Sequence, residues 1–522
     1  MSVSLIIISS FYPSLLHANV DKAYTHLYEV MDKYHQTFDV YTDMNAGGNH
    51  FYPTGWMGDY SSLAMDEGYT LNCHSGTSCI KVDFTAKGRN WSAVYWQEPE
   101  NNWAKIQNAG YDLTNATDLT FKAKGENGNE IIEFFMGGIR GNYPDSVSKQ
   151  STGWLKLSKK WKTYTISLRN KDLSHIIGGF GFAINASNNK NGATFYIDDI
   201  QYQMKRLDSP RFLRSYETVS SNILFDTVMS NACFTYDNAL ALLAFLARGN
   251  RNDLKRAKIL ADTFCYVLDN DREFSDGRLR NAYKAGDIIN HQTKKADLPG
   301  WWNSAEKQWC ENKFDVSTHT GNVVWGMLAL LTYYEKVSKD SKYLMAIEKM
   351  ANWVEKNAKL LEYSDCCGFS GGLEGYDDNQ QLLMYKSTEH NIDAYAAFIR
   401  LYHLTGNERY KESAMYALEF VKKMWNAKDR HFWTGTKDPC HTLNKATIPL
   451  DIHPWAVMAM PTEYEYRKGL IWAETNCYAQ KDGFKGFDFN NDRDGVWFEG
   501  TAQMAVAFQM NNEMEKAHFY EK

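Results

Sequence analysis

The strongest constraint on the fold is an alternation of two kinds of helical segment along the C-terminal half of the chain. Apolar, alanine-rich segments lie near residues 236–248, 320–337, 389–404 and 498–510, with a shorter candidate near 453–460. Amphipathic segments with Lys and Glu on one face lie between them, at 252–269, 340–358, 407–425 and 463–478. A helix that is apolar on most faces must be buried, whereas an amphipathic helix covers a core. The alternation therefore predicts an array of helical hairpins with the apolar helices inside.

Polar residues stand at the start of each apolar helix. Ser387 or Thr388 is a good N-cap, and Glu389 and Asp393 lie four residues apart, on one face of the helix that follows. The same layout recurs at Tyr236-Asp237-Asn238, at His319-Thr320-Gly321-Asn322 and at Trp497-Phe498-Glu499-Gly500-Thr501. Helices that bring their starts to one rim predict a barrel whose mouth is lined by carboxylates.

The N-terminal half has a different pattern of apolar and polar residues. Between residues 38 and 205, short runs of alternating apolar and polar residues, such as 78–84 and 119–123, are separated by Gly, Asn and Asp. This spacing predicts an antiparallel β-sandwich. Residues 206–230 are predicted to be a linker, and residues 231–522 a helical domain. We therefore expect a multidomain β + α protein.

Composition narrows the function classes. A chain of 522 residues is long enough for two or three domains. The net charge of −6 argues against a nucleic-acid groove, which needs a basic patch. Aromatic residues make up 14% of the chain. They serve either large cores or sugar binding, because aromatic faces stack on the apolar faces of pyranose rings.

Residues 1–18 are interpreted as a signal segment. The apolar run from Val3 to Leu16 ends in Leu16-His17-Ala18, which resembles a cleavage site, although no Lys or Arg precedes the run. Either the true start is missing or the signal is weak. A run of about 14 residues is too short for stable membrane insertion. We expect export to a secreted or periplasmic location.

The nine cysteines leave at least one unpaired, and in an oxidising compartment one pair could form a disulfide. Cys73 and Cys79 flank a loop short enough to close as a disulfide. The chain has no Cys-x-x-Cys spacing, so a structural zinc site is not expected.

The segment 194–200, Thr-Phe-Tyr-Ile-Asp-Asp-Ile, resembles the last strand of jelly-roll carbohydrate-binding modules of the galactose-binding-like type. The resemblance covers most of residues 40–205. It implies a jelly-roll sandwich, and it implies that Asp198 or Asp199 helps bind a structural calcium. The alternative is that one of these residues caps a surface turn. The Trp-rich segment 91–103 is either a sugar platform or a packing surface.

The helical half resembles the six-hairpin, (α/α)6-toroid glycosidase superfamily. The matching pieces are segments 234–241, 276–280, 388–398 and 497–501, and the likeness spans about residues 231–522. It implies a toroid that cleaves polysaccharides, by inversion in many members. Only about five hairpins can be counted, and the last outer helix, 513–522, is short. A sixth pair is therefore expected from residues 208–230, or the chain is clipped at its C-terminus; we favour clipping.

Glycoside hydrolysis needs one protonated and one ionised carboxyl group. Glu499, among Trp497, Phe498 and Gly500, is predicted to be the acid, because partial desolvation raises the pKa of a carboxyl group. Glu389 or Asp237 is predicted to be the base, because a helix N-terminus lowers the pKa of a carboxyl group in its first turn. For each of them, a helix-start carboxylate without a catalytic role is the plainer alternative.

Further residues are predicted to contact a polysaccharide or oligosaccharide substrate. They are Tyr236, Asp276, Arg280, Trp301, Trp302, His319, His390, Asp393 and Trp497. For several of them a structural role competes: Asp276 precedes Gly and marks a turn, and a lone His or Trp is more often part of a core. No cofactor is expected for catalysis.

Two alternatives stay open. A polysaccharide lyase on the same toroid would use Tyr236, His319 or His390 to remove the proton beside a uronate, with Arg280 neutralising the carboxylate. A non-catalytic glycan-binding protein would use the toroid as a scaffold. Nucleotide, phosphate-loop, serine-hydrolase and zinc-protease motifs are absent from the sequence.

Overall fold

The structure is a computed structural model of the chain. It describes residues 17–32, 37–46, 48–204, 209–218, 224–286, 288–290, 293–303, 308–363 and 366–521. Residues 1–16 of the predicted signal segment lie outside the described residues, as do 206–208 and 219–223 of the predicted linker.

The chain divides into two compact units. The unit that we call the helical unit consists of Met1–Ala23, Phe234–Ala282 and Lys313–Lys522. The sandwich unit consists of Tyr24–Cys233 and Tyr283–Asn312. The second segment of the sandwich unit departs from the predicted domain boundaries, which gave it to the helical domain.

Antiparallel strands build the sandwich unit, as predicted. The eleven strands of its two large sheets are β1 (Thr37–Tyr41), β2 (Tyr52–Gly58), β3 (Leu63–Tyr69), β4 (Cys79–Phe84), β5 (Trp91–Gln97), β6 (Ala116–Gly125), β7 (Ile131–Met136), β8 (Gln150–Lys156), β9 (Lys162–Ser167), β10 (Gly178–Asn185) and β11 (Ala193–Met204). One sheet has the order β3-β4-β11-β6-β9, with β1 also paired to β11, and the other has the order β2-β5-β10-β7-β8.

The two sheets share one apolar core. Phe121 of β6 and Phe180 of β10 are fully buried, and their ring centroids lie 5.3 Å apart. Trp96 of β5 is also buried in this core, so it is not available as a sugar platform. The alternation that predicted the strands is the period-two pattern of residues that face this core.

The loop between Cys73 and Cys79 closes as the predicted disulfide. Both carboxylate oxygens of Asp198 accept backbone N–H groups, from residues 74, 75 and 199. Asp199 accepts the Ser75 hydroxyl at 2.7 Å and contacts His74 Nδ1 at 2.9 Å. These hydrogen bonds anchor the loop between Cys73 and Cys79, and the calcium role of Asp198 or Asp199 stays a prediction.

Helices dominate the rest of the chain. They are α1 (His17–Asp32), α2 (Leu224–Met229), α3 (Thr235–Arg248), α4 (Arg251–Asp269), α5 (Thr320–Lys336), α6 (Ser341–Asn357), α7 (Thr388–Thr405), α8 (Glu408–Met424), α9 (Ile452–Ala459), α10 (Lys468–Cys477), α11 (Phe498–Met510) and α12 (Met514–Tyr520), with 3₁₀ turns at Tyr60–Ser62, Leu361–Tyr363 and Tyr464–Arg467.

Short strands connect these helices. They are β12 (Ala232–Phe234), β13 (Ala282–Lys284), β14 (Trp301–Asn303), β15 (Gln308–Cys310), β16 (Thr318–His319), β17 (Gly372–Tyr376), β18 (Asn379–Leu383), β19 (Lys386–Ser387), β20 (Trp425–Asn426), β21 (His431–Phe432), β22 (Gly435–Thr436), β23 (Leu443–Asn444), β24 (Tyr478–Lys481) and β25 (Phe484–Phe487).

The alternation of buried and amphipathic helices is confirmed. The five helices α3, α5, α7, α9 and α11 follow the predicted apolar segments, and each packs on the next in this order. Helices α4, α6, α8 and α12 pack on their preceding inner helices, as the outer members of hairpins do. The period of 3.6 residues was sufficient to separate the two classes of helix.

A repeated pair of hydrogen bonds fixes where three inner helices begin. Thr235, Thr320 and Thr388 are the first residues of α3, α5 and α7, and each donates its backbone N–H and its hydroxyl to two consecutive carbonyl groups. The acceptor pairs are Asn281 and Arg280, Gly371 and Ser370, and Thr434 and Trp433. In each case the acceptors follow the next outer helix along the chain. This device places the second residue of each inner helix in an equivalent position.

A second disulfide joins Cys366 to Cys440 within the helical unit. No helix in the described part of the chain combines the length and the apolarity needed to cross a membrane.

Candidate active site at the inner-helix starts

Polar side chains converge at the starts of the inner helices. Tyr236, Gly321, Glu389 and Glu499 are each the second residue of an inner helix, in α3, α5, α7 and α11 respectively. The residues before these helices are extended, so the chain enters each helix through a sharp change of direction. The sequence placed these residues at helix starts, and the structure confirms that placement.

Glu499 is held by donors from two helices. Its Oε1 accepts the hydroxyl of Tyr236, which links the start of α11 to the start of α3, and it accepts Gln503 Nε2 at 3.3 Å. Burial and the charge of Glu499 raise the pKa of Tyr236 well above its ordinary range, so this phenol stays a donor. Two donors on one oxygen suit a carboxylate that acts as an acceptor.

Asp393 lies one turn beyond Glu389 on α7 and is fully buried. Its Oδ2 accepts the indole N–H of Trp325 at 3.0 Å. The Trp325 ring meets the ring of Tyr236 edge-on at 5.0 Å and packs against Trp455 at 5.4 Å. Aromatic residues of three inner helices thus form one wall around the carboxylates.

Four carboxyl groups interact here, and one of them was missed from the sequence. Asp451, which immediately precedes α9, acts electrostatically on both Glu389 and Asp393. A signal was present, because Asp before a helix with Pro in its first turn is typical of a helix start. Helix α9 has only 8 residues, so its periodicity was too short to draw attention to its first turn.

The protonation pattern corrects one expectation. Burial, together with the charges of Asp451, Asp393 and Glu499, raises the pKa of Glu389 well above its ordinary range. The predicted lowering by the helix N-terminus is therefore wrong. Burial and Asp451 likewise raise the pKa of Asp393. Burial and Glu499 raise the pKa of Asp451 to about 7. No described Lys or Arg forms an ion pair with these groups, so they cannot all be ionised at neutral pH.

Two histidines complete the site in neutral form. Burial lowers the pKa of His319 to about 4, and burial together with His319 lowers the pKa of His390 to about 3. The His390 ring fills the space beside Gly321, since a Cβ there would lie 2.6 Å from His390 Cδ2. Neutral imidazoles offer one donor and one acceptor each, which suits binding of sugar hydroxyls.

Several buried polar atoms of the site have no hydrogen-bond partner among the described residues. They are His319 Nε2, His390 Nδ1, Asp393 Oδ1, Asp451 Oδ1 and Gln503 Oε1. An unpaired buried polar atom costs about 1–3 kcal/mol, so a group of them calls for an explanation. A ligand with several hydroxyl groups would satisfy them.

Other predicted site residues lie elsewhere. Arg280 is fully buried and bonds Asp271, Asp377 and a backbone carbonyl, so it does not face a substrate. Asp276 is paired with Arg278 at 2.8 Å. Both residues stabilise the segment after α4, which is a structural role.

Trp301 and Trp302 are strand residues of β14, in the sandwich unit, and their role as substrate contacts stays a prediction. Trp497 immediately precedes α11 and packs against Phe489, with ring centroids 5.5 Å apart. Asp237 is the third residue of α3 and half-buried, and its role as a base stays a prediction.

No protein-family model matches the chain, and no curated protein matches it. Solved structures that are similar to it include sugar-processing enzymes and carbohydrate-binding modules. A sugar epimerase from a ruminal bacterium is 16% identical, with a TM-score of 0.42, over 60% of this chain and 80% of that one. A family 76 glycoside hydrolase from a bovine Bacteroides thetaiotaomicron strain is 10% identical, with a TM-score of 0.36, over 83% of this chain and 85% of that one.

A family 30 carbohydrate-binding module of a cellulosomal cellulase from Clostridium thermocellum is 14% identical, with a TM-score of 0.23, over 33% of this chain and 99% of that one. These neighbours agree with the two resemblances drawn from the sequence. At such identities and TM-scores, the similarity assigns neither an activity nor a substrate to this chain.

Because the carboxyl groups of the cluster have raised pKa values, we expect the stability of the folded chain to depend on pH. The pKa of Asp451 is about 7 in the folded chain, against about 3.9 when unfolded. The folded state therefore binds the extra proton, and its stability falls as the pH rises from about 4 through 7. We expect Asp451→Asn to remove part of this fall, raising the melting temperature by roughly 2–4 °C or more at alkaline pH but not at acidic pH.

The matched control is Asp482→Asn, at an exposed position in the β24–β25 turn. Differential scanning calorimetry at several pH values would follow both variants. Equal shifts for the two variants at every pH would contradict the burial of Asp451 as the cause.

Proposed function

We propose that the chain is a secreted glycoside hydrolase that cleaves polysaccharides at the carboxylate cluster of its helical unit. The observation that carries the proposal is the difference between Glu389 and Glu499 in protonation and hydrogen bonding. Glu389 is partly accessible and retains a proton, whereas Glu499 accepts hydrogen bonds from Tyr236 and Gln503. A protonated and an ionised carboxyl group are what cleavage of a glycosidic bond requires.

The roles in this proposal are the reverse of those predicted from the sequence. Glu389 gives its proton to the departing glycosidic oxygen while the bond from the anomeric carbon to that oxygen breaks. Glu499 takes a proton from a water molecule, whose oxygen forms the new bond to the anomeric carbon. This route inverts the configuration. Burial, together with the charges of Asp451 and Asp393, keeps Glu389 protonated.

The substrate class follows from the charges of the site. No Lys or Arg among the described residues pairs with the cluster, so it offers nothing to neutralise an anionic sugar. His319, His390 and the unpaired oxygens of the aspartates instead suit hydroxyl groups. We propose a neutral polysaccharide, with the sandwich unit acting as a carbohydrate-binding module of the jelly-roll type and the inner helices forming the toroid. The two disulfides support folding in an oxidising compartment.

The lyase alternative loses its support. It needed Arg280 to neutralise a uronate, and that guanidinium is fully buried in ion pairs with Asp271 and Asp377. The acidic cluster would also repel a uronate.

A second candidate activity is epimerisation or isomerisation of a free sugar. The observation that favours it is the pair of neutral histidines with unpaired nitrogens, His319 Nε2 and His390 Nδ1. A neutral imidazole can remove a proton from a carbon next to a carbonyl group and return it. Incorporation of deuterium at C2 from heavy water, without new reducing ends, would establish this activity.

The test of the proposed function is incubation of the purified chain with a panel of neutral and anionic polysaccharides. New reducing ends on a neutral polymer, without the ultraviolet absorbance of an unsaturated product, are the expected result. Proton NMR of the first product would show the inverted anomer. Unsaturated products, or no product from any polymer, would overturn the proposal.

Tyr236 offers a milder test of the same geometry. Tyr236→Phe removes the phenol that bonds Glu499 but keeps the ring against Trp325. We expect kcat to fall by about 10–100-fold with little change in stability, because the base loses a donor that orients it. The control is Tyr464→Phe, at a side chain that is 68% exposed. Unchanged kcat in Tyr236→Phe would contradict the role of this hydrogen bond.

A further inference from the structure

A pocket lies wholly within the sandwich unit. Its volume is about 240 Å³, just below the roughly 300–1,000 Å³ typical of small-molecule sites. One wall is the hairpin β14–β15, and the other comes from the segment before β2 and from β3. The hairpin belongs to the stretch that the sequence assigned to the helical domain, so the pocket was not foreseeable from the strand pattern.

Aromatic rings form the first wall, and the structure holds them in place. Trp302 packs against Tyr52, with ring centroids 4.7 Å apart. The ammonium of Lys284 lies 5.9 Å from the ring centre of Trp309. Gly300 exchanges two hydrogen bonds with the side chain of Asn231, at 2.7 and 3.1 Å. Rings fixed in advance lose little conformational entropy when a ligand stacks on them.

The Gly300 position is needed for this arrangement. A Cβ there would lie 2.3 Å from the carbonyl oxygen of Cys310 and 2.6 Å from the indole nitrogen of Trp309. Glycine therefore allows the two strands to approach closely enough for Trp309, which is 36% exposed, to line the pocket.

Hydrogen-bonding groups form the second wall. Asn49 is fixed by bonds to Thr42 N–H and to the Asp43 carbonyl, at 3.1 and 2.9 Å. The Asp66 carboxylate is exposed beside it, and Glu67 is only partly exposed. Burial, with Asp66, raises the pKa of Glu67 to about 7, so this side chain can accept or donate hydrogen bonds near neutral pH.

The combination of a flat apolar wall and a polar wall matches one chemical class. Sugar rings present an apolar face for stacking and hydroxyl groups at their edges. The described residues of the lining include two carboxylates and no Lys, Arg or His, which disfavours uronates and sulfated sugars.

We propose that this pocket is a second saccharide site, which binds one or two units of a neutral glycan chain through Trp309 and Trp301 on one side and Asp66 and Asn49 on the other. It acts independently of the carboxylate cluster and holds a polymer without cleaving it.

The experiment uses the full chain with Glu389→Gln, so that the probe is not consumed. Isothermal titration with hexasaccharides of mannose, xylose and glucose would measure affinity and stoichiometry, with polygalacturonate as the anionic comparison. We expect Trp309→Ala to weaken binding at one site by about tenfold or more, because exposed aromatic anchors carry much of such binding energy. Asp66→Ala, at an exposed position, tests the polar wall if Trp309→Ala fails to fold.

The matched control is Trp154→Ala, on β8, where the side chain is 47% exposed. Loss of binding in Trp154→Ala but not in the pocket variants would place the site on the sheet and overturn the proposal. Unchanged affinity in both Trp309→Ala and Asp66→Ala, or no binding of any neutral probe to the parent, would also overturn it. Tighter binding of polygalacturonate would overturn the neutral class. The titration needs no turnover, so it stands even if hydrolysis is not found.

Discussion

Glu389→Gln is expected to reduce kcat on a neutral polysaccharide by about 10³-fold or more, since general acid catalysis contributes about 10²–10⁴-fold. The amide keeps the shape of the side chain but cannot give a proton to the departing oxygen. The raised pKa of Glu389 arises from burial and three neighbouring carboxylates. The amide of the same variant carries no charge, so it removes the electrostatic repulsion that an ionised Glu389 would suffer. Activity should therefore fall while stability at neutral pH is kept or increased.

The leaving group separates the two catalytic roles. A phenolate whose phenol has a low pKa departs without being protonated. Glu389→Gln should therefore keep much of its activity on an aryl glycoside that carries such a leaving group. Glu499→Gln should be impaired on both kinds of substrate, because activation of water is needed in each case. Glu465→Gln, at an exposed residue, is the control for the substitution itself. Equal losses on both substrates in Glu389→Gln would contradict its role as the acid.

The pH–rate profile gives an independent check of this assignment. Because the pKa of Glu389 is raised, the acid stays protonated at pH values where an ordinary Glu is ionised. The alkaline limb of the profile should thus lie at a higher pH than an ordinary Glu would give, and this limb should be lost in Glu389→Gln on a substrate with an activated leaving group. An alkaline limb that is unchanged in the variant would point to another acid, such as Asp451.

Local pattern was sufficient for the helices, the strands and most of the helix-start residues. Tyr236, Glu389 and Glu499 were found because each lies at the start of an apolar run with helical spacing. The pKa of Glu389 was predicted in the wrong direction, because the helix N-terminus is a local effect of a few tenths to 1 kcal/mol. Desolvation of Glu389 and the charges of three other carboxylates in the cluster outweigh this effect. These carboxylates belong to residues up to 110 positions away in the sequence.

The loops were the part of the fold that the sequence predicted least well. The segment 283–312 was assigned to the helical domain, whereas it groups with the sandwich unit. Its position depends on single contacts, such as those of Gly300 with Asn231 and of Trp302 with Tyr52, which leave no periodic signal in the sequence. Arg280 was read as a ligand of the substrate for the same reason, since its partner Asp377 lies in a distant turn.

The ion-pair network of Arg280 should dominate the stability of the helical unit. Its guanidinium donates to both oxygens of Asp271, to Asp377 at 2.7 Å and to the Val316 carbonyl, and its side chain is fully buried. We expect Arg280→Ala to reduce the free energy of unfolding by about 3–5 kcal/mol, because the variant leaves a buried carboxylate without its partner. Denaturant unfolding followed by far-ultraviolet circular dichroism would measure the loss.

A matched surface pair separates burial from charge. Lys468 and Glu465 form an ion pair of 2.7 Å, but both side chains are more than 40% exposed. Lys468→Ala should therefore cost no more than about 1 kcal/mol. A similar loss in both variants would show that the Arg280 network is no more than an ordinary ion pair.

The pH dependence of the stability loss in Arg280→Ala tests whether the unpaired charge of Asp271 causes it. Burial acts to raise the pKa of Asp271, but Arg280 more than offsets it and the pKa is lowered overall. This pair therefore contributes stability above the unfolded pKa of Asp, about 3.9, and the contribution is lost as the pH falls through the folded pKa. The deficit of Arg280→Ala should shrink in acid, where Asp271 binds a proton, and Asp271→Leu added to Arg280→Met should recover much of it at neutral pH. A deficit that is the same at all pH values and persists in the double variant would assign the loss to packing of the Arg280 stem instead of to the buried charge.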